Sequence, residues 1–137
     1  MLEVHYESLG VSAEAFVALA QRIWPRDYDV TCAAAALTKT TNIGAWSGAR
    51  LVGVVRVLTD GYFFATVPEI LVDPSYQRRG IGRELMRLAL DAAPRGKLFF
   101  GAQAESVGFF TSLGCRPGPV GFVAARPIGE TSVPSAS

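Results

Sequence analysis

The residues best suited to chemistry in this sequence form one stretch, QRRGIGR at positions 77–83. The stretch follows an apolar strand candidate and leads directly into a pattern typical of an amphipathic helix. Successive backbone N–H groups at a helix start bind anions, and glycines let the backbone approach an anion without a Cβ in the way. The stretch therefore predicts a binding site for a diphosphate.

The spacing of the glycines leaves two interpretations open. It matches neither common nucleotide-binding motif, because no Gly-Lys-Ser/Thr follows and because position 85 is Leu rather than Gly. Glycines also serve ordinary turns, so the spacing alone is as compatible with a structural turn as with an anion site.

In its place between a strand and a helix, the stretch resembles the Q/R-x-x-G-x-G/A signature of the GCN5-related N-acetyltransferases, the GNAT family. Residues 77–82 match every specified position, and VDPSY at 72–76 and FFTSLGC at 109–115 resemble two further segments of that family. The order of predicted elements is similar from residue 4 to residue 125. The resemblance implies a single mixed α/β domain with splayed central strands. It also implies an enzyme that transfers acetyl from acetyl-CoA to a primary amine by direct attack in a ternary complex.

The resemblance assigns roles to individual residues. Backbone amides of the loop would bind the pyrophosphate of acetyl-CoA, and the strand before the loop would hydrogen-bond the pantetheine arm. The Val72 amide would donate to the oxyanion that forms during attack. The residues assigned to the cofactor are Ile70, Leu71, Val72, Gln77, Arg78, Arg79, Gly80, Ile81, Gly82, Arg83, Gln103 and Phe110.

Two positions depart from the family pattern. The tyrosine that often protonates the leaving thiolate aligns with Phe110, which has no proton to donate, and an asparagine at the start of the same helix aligns with Gln103. A thiol with a pKa of about 8.5 can leave as thiolate without much help. The alternative function is a CoA-binding or acyl-CoA-binding sensor module without turnover, and the phenylalanine is its main support.

Glu69 is the candidate base for the proton of the amine, because it precedes the pantetheine-binding segment beside the expected acceptor channel. The alternative is a solvated strand residue or an ion-pair partner of Arg56. Trp24 and Tyr28 are the candidate acceptor contacts, since the family places a substrate-covering segment between its first two helices.

Three further aromatic residues, Trp46, Tyr62 and Phe63, fit either the core or the wall of an aromatic acceptor site. The acceptor itself carries no motif. Protein N-termini, lysines, polyamines, aminoglycosides and small arylamines all remain open.

The sequence contains few of the histidines and cysteines that metal sites and histidine-based covalent catalysis need. His5 is the only histidine, and Cys32 and Cys115 stand far apart without C-x-x-C spacing. We therefore expect no metal site and no histidine-based triad. His5 is predicted to be structural and Cys115 to be a small buried thiol.

The composition is that of one ordinary soluble domain. The chain has 137 residues, 13 basic and 12 acidic side chains and a formal net charge of +1. A near-zero charge without a Lys/Arg cluster argues against nucleic-acid binding, and no apolar run reaches the roughly 18 residues of a membrane span. We expect a cytoplasmic protein without a membrane partner, and a homodimer only by analogy with similar folds.

The hydrophobic pattern predicts the elements of the first half. A strand is expected over 2–8, followed by a helix that Ser12 caps and Pro25 ends, and by a second helix from Asp29 to residue 37. The next runs are rich in β-branched and aromatic residues and are separated by turn signals, which predicts an antiparallel meander. These runs are 41–46, 50–59 and 62–72, with turns at 47–48 and 60–61.

The second half predicts some parallel pairing in a mixed sheet. Its expected elements are a helix from 81 to the stop at 94–96, a strand over 97–102, a helix over 105–113 closed by Gly114, and a last strand over 120–125. We assign residues 1–129 to the domain and 130–137 to a disordered tail.

Overall fold

The computed structural model describes residues 3–127 of the chain. The chain divides after Phe100 into two compact units. Among the described residues, the first unit contains the sheet and three α-helices, and the second contains one short α-helix. The tail predicted over 130–137 lies outside the described residues.

The first two helices begin where the sequence predicts. Helix α1 (Ala13–Ile23) is capped by Ser12, whose hydroxyl accepts from the Ala15 N–H at 3.1 Å. Helix α2 (Val30–Leu37) is capped by Asp29, whose carboxylate accepts from the Cys32 N–H at 3.0 Å. Both predicted starts are confirmed, because a cap is a local interaction that the sequence alone specifies.

The sheet is the predicted antiparallel meander. Its strands are β1 (His5–Glu7), β2 (Thr41–Ser47), β3 (Arg50–Thr59), β4 (Ala65–Thr66) and β5 (Ile70–Val72). The order is β1-β2-β3, and β3 then pairs with both β4 and β5.

The single strand predicted over 62–72 is wrong in extent. The chain leaves the ladder between β4 and β5, where Pro68 has no N–H to donate. Before β4, the N–H groups of Tyr62, Phe63 and Phe64 donate to the Asp60 carboxylate at 2.7–3.2 Å instead of forming a ladder.

Two other strand predictions are also wrong. Over 97–102 there is only an isolated parallel bridge between Phe99 and Thr66, which is the one parallel pair among the described strands and bridges. Over 120–125 the described chain forms no strand, and the side chains of Val120, Phe122 and Val123 are exposed. Periodicity marks a strand candidate, but a strand also needs a hydrogen-bonding neighbour.

Helix α3 (Ile81–Ala92) packs closely on β3 through Gly53. A Cβ at this position would lie 3.0 Å from Ile81 Cγ2 and 3.1 Å from the Leu85 side chain. On the other side of the sheet, α1 packs on a cluster that includes Leu19, Val54 and Leu71. The sheet is thus covered where β3 and β5 lead towards the start of α3.

The second unit contains helix α4 (Val107–Ser112), which follows a 3₁₀ turn at Ala104–Ser106. Gly114 follows the helix with φ +88°, a conformation that glycine adopts without strain. The helix and its terminal glycine are therefore confirmed, with the first predicted turn wound as 3₁₀.

Candidate functional site

The start of α3 has the geometry of an anion site. Gly80 is the N-cap residue with φ +83°, and no side chain caps the helix. The first backbone bond of the helix runs from the Glu84 N–H to the Gly80 carbonyl at 3.1 Å. The N–H groups of Ile81, Gly82 and Arg83 thus precede the helical ladder, and they point towards any anion held at this end.

The loop before α3 adds positive charge. Arg78 has φ 63°, a left-handed conformation that costs a non-glycine residue about 1–2 kcal/mol. The Arg79 guanidinium lies 5.2 Å from the centre of the Tyr76 ring, and the Tyr76 hydroxyl lies 3.3 Å from Ser47 Oγ. Gln77 donates from Nε2 to the Val72 carbonyl at 3.4 Å. The loop is therefore tied to β2 and to the end of β5.

One acidic residue lies in the first turn of the same helix. Both Glu84 carboxylate oxygens accept from Arg87, each at 2.7 Å. The Arg87 side chain lowers the pKa of Glu84, and Glu84 in turn raises the pKa of Arg87. The Arg87 charge thus offsets the negative charge of Glu84 near the proposed anion site.

One side of β5 pairs with β3, and the backbone groups on its other side have no strand partner among the described residues. The Glu69 carbonyl accepts from the Arg56 N–H at 3.2 Å, and the Asp73 N–H donates to the Val52 carbonyl at 2.8 Å. Since backbone groups alternate along an antiparallel strand, the N–H groups of Ile70 and Val72 face away from β3. Among the described residues, no strand pairs with β5 on that open side.

The open side of β5 is a splay in the sheet. Thr66 bridges Phe99 in parallel, and no described bridge continues from there to β5. A linear ligand can therefore extend β5 as an added strand and reach the start of α3. Leu71 lies between Ile70 and Val72 in β5, but its side chain is buried in the core. The register directs its backbone N–H and carbonyl towards β3, away from the open side.

Glu69 is held by Arg56. The Arg56 Nε lies 2.6 Å from Glu69 Oε2, with the arginine side chain 15% and the glutamate side chain 29% exposed. The ion pair that the sequence left as an alternative is thus present. It leaves the carboxylate in contact with solvent, so a proton-accepting role is compatible with the pair.

The segment between α1 and α2 contacts the core through Tyr28. Tyr28 lies on the core cluster that contains Leu71, and its hydroxyl donates to the Trp24 carbonyl at 2.8 Å. Trp24 itself is exposed. Both predicted acceptor contacts thus belong to one hydrogen-bonded loop.

The other three aromatic candidates lie in two different environments. Trp46 packs on the same core cluster as Tyr28, which fits a core role. Tyr62 and Phe63 are exposed on the loop after β3, where the Arg95 guanidinium lies 5.1 Å from the centre of the Phe63 ring.

Two predicted cofactor residues belong to the second unit. Gln103 is exposed and precedes the 3₁₀ turn, and its carbonyl accepts from the Ser106 N–H at 2.8 Å. Phe110 is buried and makes an edge-to-face contact with Phe109, with ring centres 5.0 Å apart. The Cys115 N–H donates to the Phe110 carbonyl at 3.1 Å, and Cys115 is a partly buried free thiol. The cofactor roles of Gln103 and Phe110 stay predictions.

The remaining reactive candidates lie apart. His5 is half exposed in β1, with Nε2 3.8 Å from Glu7 Oε1, and Cys32 is an exposed free thiol. Within residues 3–127, no group of three or more His, Cys, Asp or Glu side chains is arranged to hold a metal ion. No helix in the described part of the chain is long and apolar enough to cross a membrane.

A buried ion-paired cluster that the sequence did not predict lies at the residue directly after β5. Asp73 is 1% exposed, and its Oδ2 accepts from Arg22 at 2.8 Å and from Arg50 at 3.1 Å. Burial raises the pKa of Asp73, but the Ser75 N–H and the two arginines outweigh burial and hold this pKa below its usual value. The only sequence signal was an Asp-Pro at a strand end, which is typical of a turn.

Comparison with known proteins identifies the type of domain. The sequence profile of the family described as "Acetyltransferase (GNAT) domain" matches residues 12–118. Over 75 residues the chain is 33% identical to GCN5-related N-acetyltransferase 2, chloroplastic, of Arabidopsis thaliana; this match covers 53% of this chain and 29% of that protein. Over 67 residues it is 40% identical to N-alpha-acetyltransferase RimI of Mycobacterium tuberculosis, covering 47% of this chain and 42% of that protein. The chain thus spans less than half the length of these curated relatives.

The fold is shared over nearly the whole chain. A GNAT family acetyltransferase from Streptococcus pneumoniae superposes with a TM-score of 0.76 at 25% identity, over 92% of this chain and 98% of that one. The splayed strands and the loop before α3 lie within the segment that the family profile matches.

Proposed function

Because the chain belongs to the GNAT family of acetyltransferases, we propose that it transfers an acetyl group from acetyl-CoA to a primary amine. One observation carries the proposal. The outward amides of Ile70 and Val72 lie on the same short segment that leads into the uncapped amides of α3. One ligand with an extended amide-bearing arm and a diphosphate fits both sets of donors.

The residues present fit acetyl-CoA. The diphosphate is expected at the N–H groups of Ile81, Gly82 and Arg83, with Arg78 and Arg79 supplying positive charge at its edge. The pantetheine arm is expected to pair with the open side of β5 through the Ile70 N–H, and the Val72 N–H is reserved for the acetyl oxygen. Acetyl-CoA supplies an activated acyl group and a thiolate leaving group, and the other catalytic functions are left to this chain.

Two groups of the chain are proposed to act on the reacting atoms. The Val72 N–H donates to the acetyl oxygen as negative charge develops there, and the Glu69 carboxylate takes the proton of the attacking amine, directly or through water. The amine nitrogen forms a bond to the acetyl carbon as the carbon–sulfur bond breaks, and sulfur keeps the electron pair. No covalent intermediate on the protein is required.

The acceptor is proposed only as a primary amine. Glu69 and the loop containing Trp24 and Tyr28 are the groups expected to meet it. The relative named N-alpha-acetyltransferase supports including N-terminal peptide amines among the acceptors to be tested.

A sensor module is the second candidate function. Phe110 supports it, because this side chain has no proton to donate to a leaving thiolate. A sensor would bind CoA or acyl-CoA through the same amides without turnover. Retention on immobilised CoA, displaced by free CoA and not by DNA, is expected for both functions and excludes a nucleic-acid-binding protein.

A thiol-release screen tests the proposal. Acetyl-CoA is the donor, and the panel contains N-terminal peptides, lysine, a polyamine, an aminoglycoside and an arylamine. We expect thiol release above the amine-free rate with at least one acceptor. Binding of CoA without release across the panel would favour the sensor, and loss of both would contradict CoA chemistry at this loop.

Three further predictions accompany this function. The domain is proposed to extend over 1–129, consistent with the family match to 12–118. The cytoplasm is the proposed compartment, in keeping with the two free cysteines. Homodimerisation is proposed only by analogy with similar folds.

A further inference from the structure

Asp73 lies at the junction of the two sets of amides that the proposed ligand needs. It follows β5 directly and precedes the 3₁₀ turn at Pro74–Tyr76, after which the anion loop begins. A ligand that engages the amides of Val72 and Gly82 at once requires a fixed distance between β5 and the loop. Small errors in this distance weaken binding because all contacts must form together.

The polar groups of Asp73 hold this junction from both sides. Its backbone N–H donates to the Val52 carbonyl and its carbonyl accepts from the Tyr76 N–H, both at 2.8 Å. Its Oδ1 accepts from the Ser75 N–H at 2.8 Å. The carboxylate thus shapes the turn through its own backbone neighbours.

The second carboxylate oxygen connects the junction to another part of the fold. Arg22, in the last turn of α1, donates from Nε to Asp73 Oδ2 at 2.8 Å and from Nη2 to the Leu51 carbonyl at 2.6 Å. Arg50 donates to the same Oδ2 at 3.1 Å, but its side chain is half exposed. Arg22 is therefore the more buried of the two partners, and a second hydrogen bond holds it in place.

The arginine stands two residues before the loop expected to meet the acceptor. Trp24 caps the end of α1, and its carbonyl accepts from Tyr28. The pair of Arg22 and Asp73 therefore joins the acceptor-side loop to the base of the donor-side loop through one buried carboxylate.

We propose that Asp73 is a positioning residue for the CoA-binding loop, acting through Arg22 to fix the spacing between β5 and the start of α3. The inference rests on the proposed function, because it names the ligand of this loop as CoA. Removing the charge while keeping the shape is expected to weaken CoA binding more than it slows the chemical step.

Calorimetric titration of the full chain with CoA tests the inference, with Asp73→Asn as the principal variant. We expect the Kd for CoA to rise about tenfold, a loss of about 1.4 kcal/mol. The KM for acetyl-CoA should rise in parallel, with kcat at saturation within about threefold of wild type. A merely structural role would lower the folded fraction and kcat, and the remaining folded protein would keep its Kd.

Two comparison variants sharpen the test. Asp91→Asn changes an exposed aspartate on α3 and should leave the Kd for CoA within about twofold. Arg22→Gln should weaken CoA binding as well, and the double variant with Asp73→Asn should lose less than the sum of the two single effects.

The outcomes separate the inference from the proposed function. If the wild-type chain does not bind CoA, the proposed function fails. If it binds CoA and folded Asp73→Asn binds equally well, the positioning role is wrong. If Asp73→Asn does not fold, Arg22→Gln decides: an unchanged Kd overturns the inference, and a raised Kd with kcat preserved supports it.

Discussion

Arg56 in β3 and Glu69, the residue before β5, form an ion pair, with 2.6 Å between Arg56 Nε and Glu69 Oε2. The Arg56 N–H also donates to the Glu69 carbonyl at 3.2 Å. The arginine thus fixes both the backbone and the side chain of the glutamate. The carboxylate therefore has a fixed position beside β3 while 29% of the side chain stays exposed, as a general base that meets a substrate requires.

Glu69→Gln is expected to lower kcat/KM by about 10²-fold, with the Kd for acetyl-CoA nearly unchanged. The amide oxygen can still accept from Arg56, so the local fold should hold. Steady-state kinetics with an accepted amine measure the effect, and Glu3→Gln, an exposed residue before β1, is the matched control. A rate within about twofold of wild type would assign Glu69 to a purely structural ion pair.

Gly82→Glu is expected to abolish CoA binding without unfolding the chain. The new carboxylate would stand in the first turn of α3, where the helix dipole favours it and a bound diphosphate would be repelled. Calorimetry with CoA and a thermal melt measure the two effects. Ala18→Glu places the same charge on the exposed face of α1 and should bind CoA normally. Wild-type affinity in the Gly82 variant would remove this loop from the CoA site.

The ion pairs of Asp73 predict how stability depends on pH. Its pKa is lowered on folding, so its stabilising effect is complete above the pKa of about 3.9 in the unfolded chain and is lost as pH falls through the lower pKa of the folded state. Asp73→Asn should therefore cost about 1.5–3 kcal/mol of unfolding free energy at pH 7. In urea titrations this gap should narrow below about pH 4. An equal gap at pH 7 and pH 3 would exclude the carboxylate charge as the cause.

Phe110→Tyr tests whether the chain lacks a general acid. If the ring lies near the thioester sulfur, the new hydroxyl should raise kcat by about threefold to tenfold, less than general acids usually contribute, because thiolate is already a fair leaving group. The stability change should be small, since the ring keeps its volume. A stability loss of several kcal/mol without a rate gain would identify Phe110, which is buried, as core.

Local signals in the sequence predicted the parts of the fold that local interactions build. The caps Ser12 and Asp29 marked two helix starts, and the glycine spacing marked the loop before α3. The strands over 97–102 and 120–125 were overestimated, because an apolar run does not specify its partner.

Contacts between residues far apart in the sequence were harder to predict. The bond between Arg22 and Asp73 joins residues 51 positions apart, and no pattern of spacing predicts it. The pair of Arg56 and Glu69 was predicted as an alternative only because opposite charges on adjacent strand candidates pair readily. The outward direction of the Ile70 and Val72 amides required the observed register of β3 and β5.

The most direct measurement follows the acetyl group itself. The full chain is incubated with acetyl-CoA carrying ¹³C in the acetyl group and with the amine that the thiol-release screen selects, and mass spectrometry records the amine and the intact protein. We predict labelled acetyl on the amine nitrogen, one free thiol per amide formed, and no acetyl on the protein. CoA binding without amide formation, or acetyl accumulating on the protein before transfer, would contradict direct acetyl transfer.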